Sequence, residues 1–405
     1  MSHLFLRVTA LAAYVLLVGA APRSESSPDD PQKLIEIVEE KSTTTTFSLV
    51  AISKVDYAVT VNADLPTLEN LKAGTKPPYT VVVQPRKRAL VTKLTRINPR
   101  KASRYATSYT CYAGWRDPQR TDFAYTLPWE PGYAYRVGQG FNGQFSHQGR
   151  NALDFSMPEG ATICAARDGM VIEVTQNFSE GGINEEFKSK ANRILILHDD
   201  GTTARYAHLV HNGAKVKIGQ KVKAGEPIGL AGATGYAKGP HLHFEVDRPP
   251  GPGDNQYETV PMQFMAVDEK GSELRVAPKE GDILRRPGGA GKLPPNLIEE
   301  IVLCRRMSEQ HEPVDVTDIF RAKDAMTIAM RIGAPGERTL KLTITRAGDK
   351  KAAPLLFERE LKTPPQANYF WMSINLANEP KLRGALAIRV SFNGQQLAEK
   401  QFRVE

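Results

Sequence analysis

Cysteine is scarce in this chain. Three cysteines, Cys111, Cys164 and Cys304, occur among 405 residues, and no Cys-x-x-Cys pair is present. This spacing argues against a cysteine-based zinc site, and at most one internal disulfide can form, with one thiol left over. Because Cys164 lies inside the apolar run ATICAA, we expect it to be a small core residue.

Two other features are absent. The net charge is +8, from 53 Lys and Arg against 45 Asp and Glu, yet no dense Lys/Arg tract occurs. A basic surface attracts polyanions such as acidic lipid or anionic wall polymers, but the missing tract argues against a nucleic-acid partner. No Gly-x-Ser-x-Gly motif is present, which argues against a serine nucleophile on a strand-to-helix elbow.

Long hydrophobic runs are also few. The run VTALAAYVLLVGAA follows Arg7, and its length of about 14 residues is too short for a membrane-spanning helix. We interpret residues 1–21 as a secretory signal peptide, with an uncleaved membrane anchor as the alternative. No later segment is long and apolar enough to cross a bilayer, so we expect an exported protein, periplasmic or extracellular, with no transmembrane segment in the mature chain.

The remaining sequence predicts a mainly β protein of several modules. Residues 22–46 are polar and are expected to form a flexible leader. Short apolar runs between turn residues predict immunoglobulin-like β-sandwich modules over 47–125 and 296–405. Residues 126–278 are dense in strands and glycine turns and lack helical periodicity, which predicts a small sheet or barrel-like domain. Glycine and proline cluster at 279–295, which we interpret as a linker.

What the chain does have is a cluster of histidines in its central part. Six of its eight histidines fall within residues 147–243, and two of them flank one leucine in the stretch GPHLHFEV. Residues two apart on a β-strand point to the same face, so His241 and His243 are expected to project together, roughly 6–7 Å apart. The alternate apolar residues are then expected to face a core: Leu242, Phe244 and Val246.

The stretch SHQGRNALDFSMPEGA adds His147 and Asp154 to this cluster. Two histidines and one aspartate make a three-ligand zinc site that leaves a fourth position for water. One imidazole of the His241/His243 pair can bind the metal while the other stands beside the open position. The alternative is that these are unconnected buried or surface histidines.

Several stretches, taken together and in order, resemble the lysostaphin/LytM-type zinc metallopeptidases, which cleave peptide crosslinks of bacterial cell walls. They fall within residues 135–250 and read SHQG…ALDFSMPEGA, AARDGMVIEV, ILILHDDGTTARYAHL, VKIGQKVKAGEPIGLAGATG and GPHLHFEV. The resemblance implies the duplicated hybrid motif fold for the core at 140–248. The flanking modules are similar to the sandwich-like accessory regions that often accompany this peptidase.

The resemblance also implies roles for five residues. His147, Asp154 and His243 match the family's ligands for one zinc ion, and His208 and His241 match its two catalytic histidines. The first two ligands are often four residues apart in the family but seven apart here, so extra residues are expected to bulge between them. The implied function is a zinc-dependent endopeptidase that hydrolyses peptide bonds in peptidoglycan stem peptides or crosslinks through a metal-activated water.

Alternatives stay open for the function and for single residues. The chain could be a non-catalytic wall-binding regulator that activates another cell-wall hydrolase, or a secreted peptidase acting on glycine-rich proteins. Glu245 shares the His241/His243 face and is either a support for the site or a solvated strand end. Tyr206 either contacts substrate or packs in the core, and His198 is expected to be structural.

Overall fold

The structure is a computed structural model in which much of the chain is described. The described residues are 31–41, 43–116, 123–251, 254, 256–268, 271–288, 297–309, 311–333, 338–348, 354–363, 369–392 and 394–405. The predicted signal peptide lies outside them, as do residues 22–30 of the predicted leader and 289–295 of the predicted linker. Strands make up nearly all the regular structure of this part, which confirms the mainly β prediction. Among the same residues, none of the helices has the length and apolar character that a membrane crossing requires.

The N-terminal module packs two antiparallel sheets against each other. After one helical turn, α1 (Pro31–Leu34), its strands are β1 (Ile35–Lys41), β2 (Thr46–Ser53), β3 (Val59–Glu69), β4 (Leu71–Ala73), β5 (Tyr79–Val83), β6 (Arg88–Arg96) and β7 (Arg104–Ala113). The sheets have the orders β1-β2-β6-β4 and β5-β3-β7. Apolar side chains of both sheets, such as Leu49 and Val61, share one core. This is a β-sandwich, and its immunoglobulin-like character stays a prediction.

The predicted boundaries of this module need correction at both ends. Residues Ile35–Lys41 pair one by one with β2, so the expectation of a flexible leader is wrong from residue 35 onward. Ile35 is fully buried and Ile37 packs against the same core, which outweighs the polar residues between them. At the other end, residues 124–126 pair with a strand of the central module instead of the sandwich.

The central module is built around a twelve-stranded sheet and contains one 3₁₀ turn (Glu185–Phe187). Its strands are β8 (Ala124–Thr126), β9 (Ala134–Gln139), β10 (Ala152–Ser156), β11 (Thr162–Cys164), β12 (Gly169–Thr175), β13 (Gly181–Gly182), β14 (Arg193–Leu197), β15 (Thr203–Ala207), β16 (Leu209–Ala214), β17 (Lys221–Val222), β18 (Pro227–Ala231), β19 (Gly235–Tyr236), β20 (Leu242–Arg248), β21 (Glu258–Thr259), β22 (Gln263–Val267), β23 (Glu273–Val276) and β24 (Ile283–Arg285). The large sheet runs β17-β12-β14-β15-β20-β10-β9-β24-β22-β23, with β21 beside β20 and β8 beside β22. The sheet β11-β18-β16 shares its apolar core, and β13 pairs with β19.

Strand β20 shows how the sequence builds this core. Leu242, Phe244 and Val246 are fully buried on one face, as the alternation predicts. Full burial of such a side chain stabilises the fold by about 1.5–3 kcal/mol. The alternate residues His243 and Glu245 lie on the other face, so the same pattern that fills the core also positions polar groups outside it.

Of the three connections predicted for the central module, one is confirmed and two are wrong. The turn at Asp200-Gly201 joins the paired strands β14 and β15 as expected. The hairpin expected at Asp168-Gly169 is wrong, because β11 pairs with β18 and β12 pairs with β14. The linker expected at 279–295 is wrong at residues 283–285, which form β24 beside β9. In both cases partners distant in sequence override a local turn signal.

The C-terminal module is a second sandwich and contains one 3₁₀ turn (Leu376–Asn378). Its strands are β25 (Glu300–Met307), β26 (Pro313–Val316), β27 (Ile319–Phe320), β28 (Ala325–Arg331), β29 (Arg338–Arg346), β30 (Phe357–Thr363), β31 (Tyr369–Asn375), β32 (Gly384–Phe392) and β33 (Gln395–Val404). The sheets β26-β25-β28-β31 and β27-β33-β32-β29-β30 enclose one core that includes Leu303, Ile328 and Ile388.

The three cysteines are distributed one to a module. Cys111 lies on β7, Cys164 on β11 and Cys304 on β25, and all three are buried free thiols. No disulfide therefore joins any two of them. Cys164 is 1% exposed, which confirms its expected place in a core.

The N-terminal sandwich docks on the side of the large sheet that faces away from the central core. Ala113 packs there in a small apolar cluster with Ile172, Leu195 and Leu197. The backbone N–H of Trp115 donates to the carbonyl of Gly201 at 3.2 Å. The two modules thus meet through apolar contact and backbone hydrogen bonding.

Candidate metal centre

Asp154 and His243 are brought together by strand register. They lie directly opposite each other on the antiparallel neighbours β10 and β20. Opposite residues on such a pair share one face of the sheet. Asp154 Oδ1 accordingly lies 3.0 Å from His243 Nδ1.

His147 reaches the same point from the turn between β9 and β10. Its ring is fully buried, and its Nδ1 donates to the carbonyl of Gly140 at 3.0 Å. Because that carbonyl can only accept, Nδ1 carries the hydrogen and Nε2 keeps a free lone pair. Nε2 lies 3.3 Å from Asp154 Oδ1 and 3.3 Å from His243 Nδ1.

These three side chains could hold a metal ion. One ligand atom from each of His147, Asp154 and His243 lies within 4.8 Å of the others. Tetrahedral zinc with bonds of about 2.1 Å places its ligand atoms about 3.4 Å apart, and the three distances here are 3.0, 3.3 and 3.3 Å. Two imidazole nitrogens and one carboxylate oxygen are also ligands that zinc accepts. The donor set and its spacing therefore fit such an ion.

The seven-residue separation of His147 and Asp154 is closed by a tight turn. The N–H of Arg150 donates to the His147 carbonyl at 2.9 Å, and the N–H of Asn142 donates to the Arg150 carbonyl at 2.9 Å. These bonds fold the extra residues back without displacing either ligand. The bulge expected from the sequence is present, and it leaves the ligand atoms together.

His208 and His241 lie beside this group. His208 follows the last residue of β15, and His241 precedes β20 and forms a bridge with Gly232. Their ring centroids are 4.5 Å apart, and His241 Nε2 lies 3.7 Å from Asp154 Oδ1. Backbone carbonyls accept from each Nδ1, that of Thr234 from His208 at 2.6 Å and that of Gly239 from His241 at 2.9 Å. Each Nε2 is therefore left as an acceptor.

Burial keeps these two histidines neutral. It lowers the pKa of His208 to about 3, and the neighbouring imidazole of His241 adds to this effect. Burial likewise lowers the pKa of His241, although Asp154 acts in the opposite direction. Both imidazoles are therefore neutral, and each has an Nε2 lone pair that can accept a hydrogen bond.

The group around Asp154 favours positive charge. Burial alone would raise the pKa of the Asp154 carboxyl, but the neighbouring imidazoles of His147 and His243 hold that pKa well below its usual range. Burial alone would lower the pKa of His243, but Asp154 and Glu245 raise it to about 9. The carboxylates thus stabilise a cation at this point, whether a proton or a metal ion.

A cavity of about 550 Å³ opens onto Asp154, His208, His241 and His243. Phe145 and Tyr236 also line it, with their rings stacked at 5.5 Å between centroids. The ammonium of Lys238 lies 3.9 Å from the centroid of the Phe145 ring. The space beside the histidines is therefore large enough for part of a chain molecule, with an aromatic and cationic wall.

A larger cavity lies elsewhere. It measures about 1170 Å³ and is lined by residues of the N-terminal sandwich, such as Asp56 and Trp115, and of the central module, such as Arg167. None of the five residues singled out in the sequence lines it. Cavity size alone therefore does not locate the chemistry in this molecule.

The structure also shows the burial and the contacts of three other residues considered in the sequence analysis. Glu245 is 1% exposed, so the solvated strand end considered for it is wrong. Tyr206 is fully buried, and its hydroxyl accepts from the N–H of Ala166 at 2.7 Å, which is core packing. His198 is buried with its Nδ1 donating to the carbonyl of Asp168 at 2.8 Å, as expected for a structural residue.

Sequence reasoning missed three polar residues around the site. Gln139 lies opposite Asp154 on β9, Arg205 lies opposite Glu245 on β15, and the side chain of Arg150 contacts Glu245. Two of these pairings depend on strand register between segments far apart in sequence. The available signal was the position of Arg150 among the extra residues between His147 and Asp154.

Known proteins resemble this central region. Residues 148–257 match the family model described as Peptidase family M23. The chain is 42% identical over 120 residues to the peptidoglycan DD-endopeptidase ShyB of Vibrio cholerae, covering 28% of this chain and 25% of that protein. It is 34% identical over 146 residues to the glycyl-glycine endopeptidase ALE-1 of Staphylococcus capitis, covering 36% of each. The solved catalytic domain of lysostaphin from Staphylococcus simulans is 29% identical, covering 31% of this chain and 79% of that one, with a TM-score of 0.20.

The central module thus contains the part of this chain that is similar to known peptidases. Its residues 148–257 match Peptidase family M23, which confirms the resemblance to the lysostaphin/LytM type for this region. The chain spans only about a quarter to about a third of the length of these two relatives.

Proposed function

We propose that this protein is a zinc-dependent endopeptidase that hydrolyses peptide bonds in peptidoglycan stem peptides or crosslinks. The observation that carries the proposal is the convergence of His147, Asp154 and His243 next to the histidine pair, inside a Peptidase family M23 domain. Relatives named for peptidoglycan endopeptidase activity support the choice of substrate class.

The zinc ion would be held by His147 Nε2, Asp154 Oδ1 and His243 Nδ1, the three atoms that lie 3.0 to 3.3 Å from one another. When bound, zinc supplies a Lewis acid that activates water and polarises the scissile carbonyl. His208 and His241 are proposed to serve the reaction and not the metal. Their Nδ1 atoms are already engaged by backbone carbonyls.

The histidine pair would move the proton of the reaction. As water adds to the carbonyl carbon, its proton goes to a free Nε2 of His208 or His241, both of which are neutral beforehand because burial lowers their pKa values. The protonated ring can donate a hydrogen bond to the developing oxyanion. As the C–N bond breaks, the ring returns the proton to the leaving amine. General acid–base help of this kind accelerates reactions about 10²–10⁴-fold.

The substrate peptide would lie in the cavity between the histidines and the Phe145/Tyr236 wall. Lys238 places a cation on that wall, which suits peptides that carry free carboxylates. Such peptides occur outside the cytoplasmic membrane, in keeping with the export expected from residues 1–21. We propose further that the two sandwiches are accessory modules around a peptidase domain that extends from about β8 to β24.

Digestion of defined crosslinked muropeptides tests the proposal. Wild-type protein loaded with zinc is expected to release peptides with new amino and carboxyl termini that mass spectrometry identifies. The Asp154→Ala variant is expected to release none, because it removes one of three ligands. Binding of wall material without new peptide amines, with or without added zinc, would contradict the proposal and indicate a regulator of another hydrolase.

A further inference from the structure

A layer of charged residues lies behind the proposed ligand His243. We infer that Arg150, Glu245 and Arg205 position His243 for metal binding, and that the turn between His147 and Asp154 supplies Arg150 to this layer. The inference rests on the proposed function, since it takes His243 as a ligand. Glu245 and the two arginines are positioning residues in this account, not catalytic ones.

The imidazole of His243 is held between two carboxylates. Its Nδ1 lies 3.0 Å from Asp154 Oδ1, and its Nε2 lies 3.6 Å from Glu245 Oε2. A carboxylate on the far side of a ligating ring favours the hydrogen on Nε2 and leaves the lone pair on Nδ1. Glu245 thus selects the tautomer and orientation in which Nδ1 faces Asp154.

Glu245 is itself fixed by two arginines. Arg150 Nη2 lies 2.6 Å from Oε1 and Arg150 Nε lies 3.1 Å from Oε2, which is a fork-like contact. Arg205 Nε lies 2.9 Å from Glu245 Oε1. The Glu245 side chain is 1% exposed, and a buried carboxylate needs such partners to stay ionised. Its two oxygens therefore have little freedom to move away from His243.

Arg150 ties this layer to the first ligand. It follows His147 by three residues, and its N–H donates to the His147 carbonyl at 2.9 Å. One turn therefore presents His147 to the ligand group and sends the Arg150 side chain behind His243.

The test compares zinc affinity among variants of the full chain. Arg150→Gln and Glu245→Gln are the test variants. Arg193→Gln is the matched control, because Arg193 forms an ion pair with Glu173 at 2.6 Å in the same sheet, and Glu173, unlike Glu245, is not a partner of His243. Competition with a chromophoric chelator gives the zinc dissociation constant, and thermal unfolding of the zinc-free proteins reports folding.

Both test variants are expected to bind zinc about 10–100-fold more weakly than wild type, the usual effect of losing a residue that orients a ligand. The control is expected to stay within about twofold, because its ion pair does not orient a proposed ligand. Arg150→Lys is expected to recover part of the affinity, since an ammonium replaces the charge but not the fork.

Three results would overturn the inference. The first is wild-type zinc affinity in Arg150→Gln together with unchanged unfolding of the zinc-free protein. The second is an equal loss in Arg150→Gln and Arg193→Gln, which would indicate a general structural effect. The third is absence of zinc binding by wild type, which would also remove the proposed function, whereas the first two leave it intact. If Glu245→Gln does not fold, the Arg150 variants alone decide.

Discussion

Gln139 donates a hydrogen bond of 2.8 Å from its Nε2 to Asp154 Oδ2. This bond occupies one carboxylate oxygen and leaves Oδ1 facing His147 and His243. The Gln139 Oε1 atom accepts from the backbone N–H groups of Phe145 and Ser146, just before His147. A single amide side chain thus fixes two of the three proposed ligands relative to each other.

Replacing Gln139 is therefore expected to weaken metal binding. Gln139→Ala removes both the bond to Asp154 and the clamp on the turn, and we expect about a tenfold rise in the zinc dissociation constant. Chelator competition measures it. Gln148→Ala is the control, since Gln148 is exposed in the same turn and its side-chain amide donates to the carbonyl of Gln144. Equal affinity of Gln139→Ala and wild type would contradict this role.

His208 and His241 are expected to be needed for hydrolysis and dispensable for the metal. His208→Ala and His241→Ala should each lower the rate of peptide hydrolysis by about 10²–10⁴-fold, because each removes a group that can carry the proton. Their zinc content, measured by mass spectrometry, should equal that of wild type. His211→Ala, at an exposed residue, should match wild type in both respects. Full hydrolysis by either test variant would remove that histidine from the mechanism.

The fold was largely predictable where the local sequence of a segment determines its structure. The alternation in β20 gave its buried face, and the Asp200-Gly201 turn gave the hairpin of β14 and β15. Predictions failed where pairing with a strand distant in sequence determines the structure. The polar stretch Ile35–Lys41 becomes a strand because β2 offers it an edge, and residues 283–285 become β24 because β9 does.

The residues of the candidate site were likewise predictable in part. Residue types and spacing pointed to His147, Asp154, His241 and His243, and the family resemblance added His208. The structure places all five around one point. Gln139 and Arg205 could not be found from spacing, because each acts through a residue opposite to it on a neighbouring strand.

The contact between the N-terminal sandwich and the central module depends on a glycine. Gly201 has φ of +82°, and a Cβ there would lie 2.3 Å from the backbone oxygen of Trp115. Gly219 has φ of +84° with nothing within 4 Å of such a Cβ. Gly219→Ala should therefore cost only the left-handed backbone penalty, about 1–2 kcal/mol. Gly201→Ala should cost about 3 kcal/mol or more, since the backbone of Trp115 must also shift.

Urea unfolding of both variants checks this prediction. The two φ values are nearly equal, so both variants carry the same backbone penalty. The difference between their free energies of unfolding therefore reports the close approach of residue 201 to Trp115. If Gly201→Ala is no less stable than Gly219→Ala, the contact with Trp115 does not constrain the chain.

Arg167 is expected to stabilise the fold in a pH-dependent way. Its side chain is 6% exposed and pairs with Asp199 and with the buried Asp200. Arg167→Met leaves the Asp200 carboxylate without its cation, which should lower the free energy of unfolding by about 3 kcal/mol at neutral pH. Lys223→Met, at an exposed pair with Asp168, should leave the free energy of unfolding nearly unchanged.

The direction in which stability changes with pH follows from the lowered pKa of Asp200. Burial alone would raise its pKa, but hydrogen bonds from Thr202 and Arg167 hold that pKa below the ordinary value of 3.8. The stabilisation is therefore present above this ordinary value and is lost as the pH falls through the lower folded-state pKa. The gap in stability between wild type and Arg167→Met should narrow in acid. A gap that is constant from neutral pH to about pH 3 would contradict the ionic origin.

Crystallographic anomalous scattering at the zinc edge tests the central claim most directly. In crystals of the zinc-loaded protein, we expect one peak per chain in the central module, with bonds of about 2.0–2.2 Å to His147 Nε2, Asp154 Oδ1 and His243 Nδ1. A peak held by other residues, or no peak at these three side chains at saturating zinc, would contradict the account.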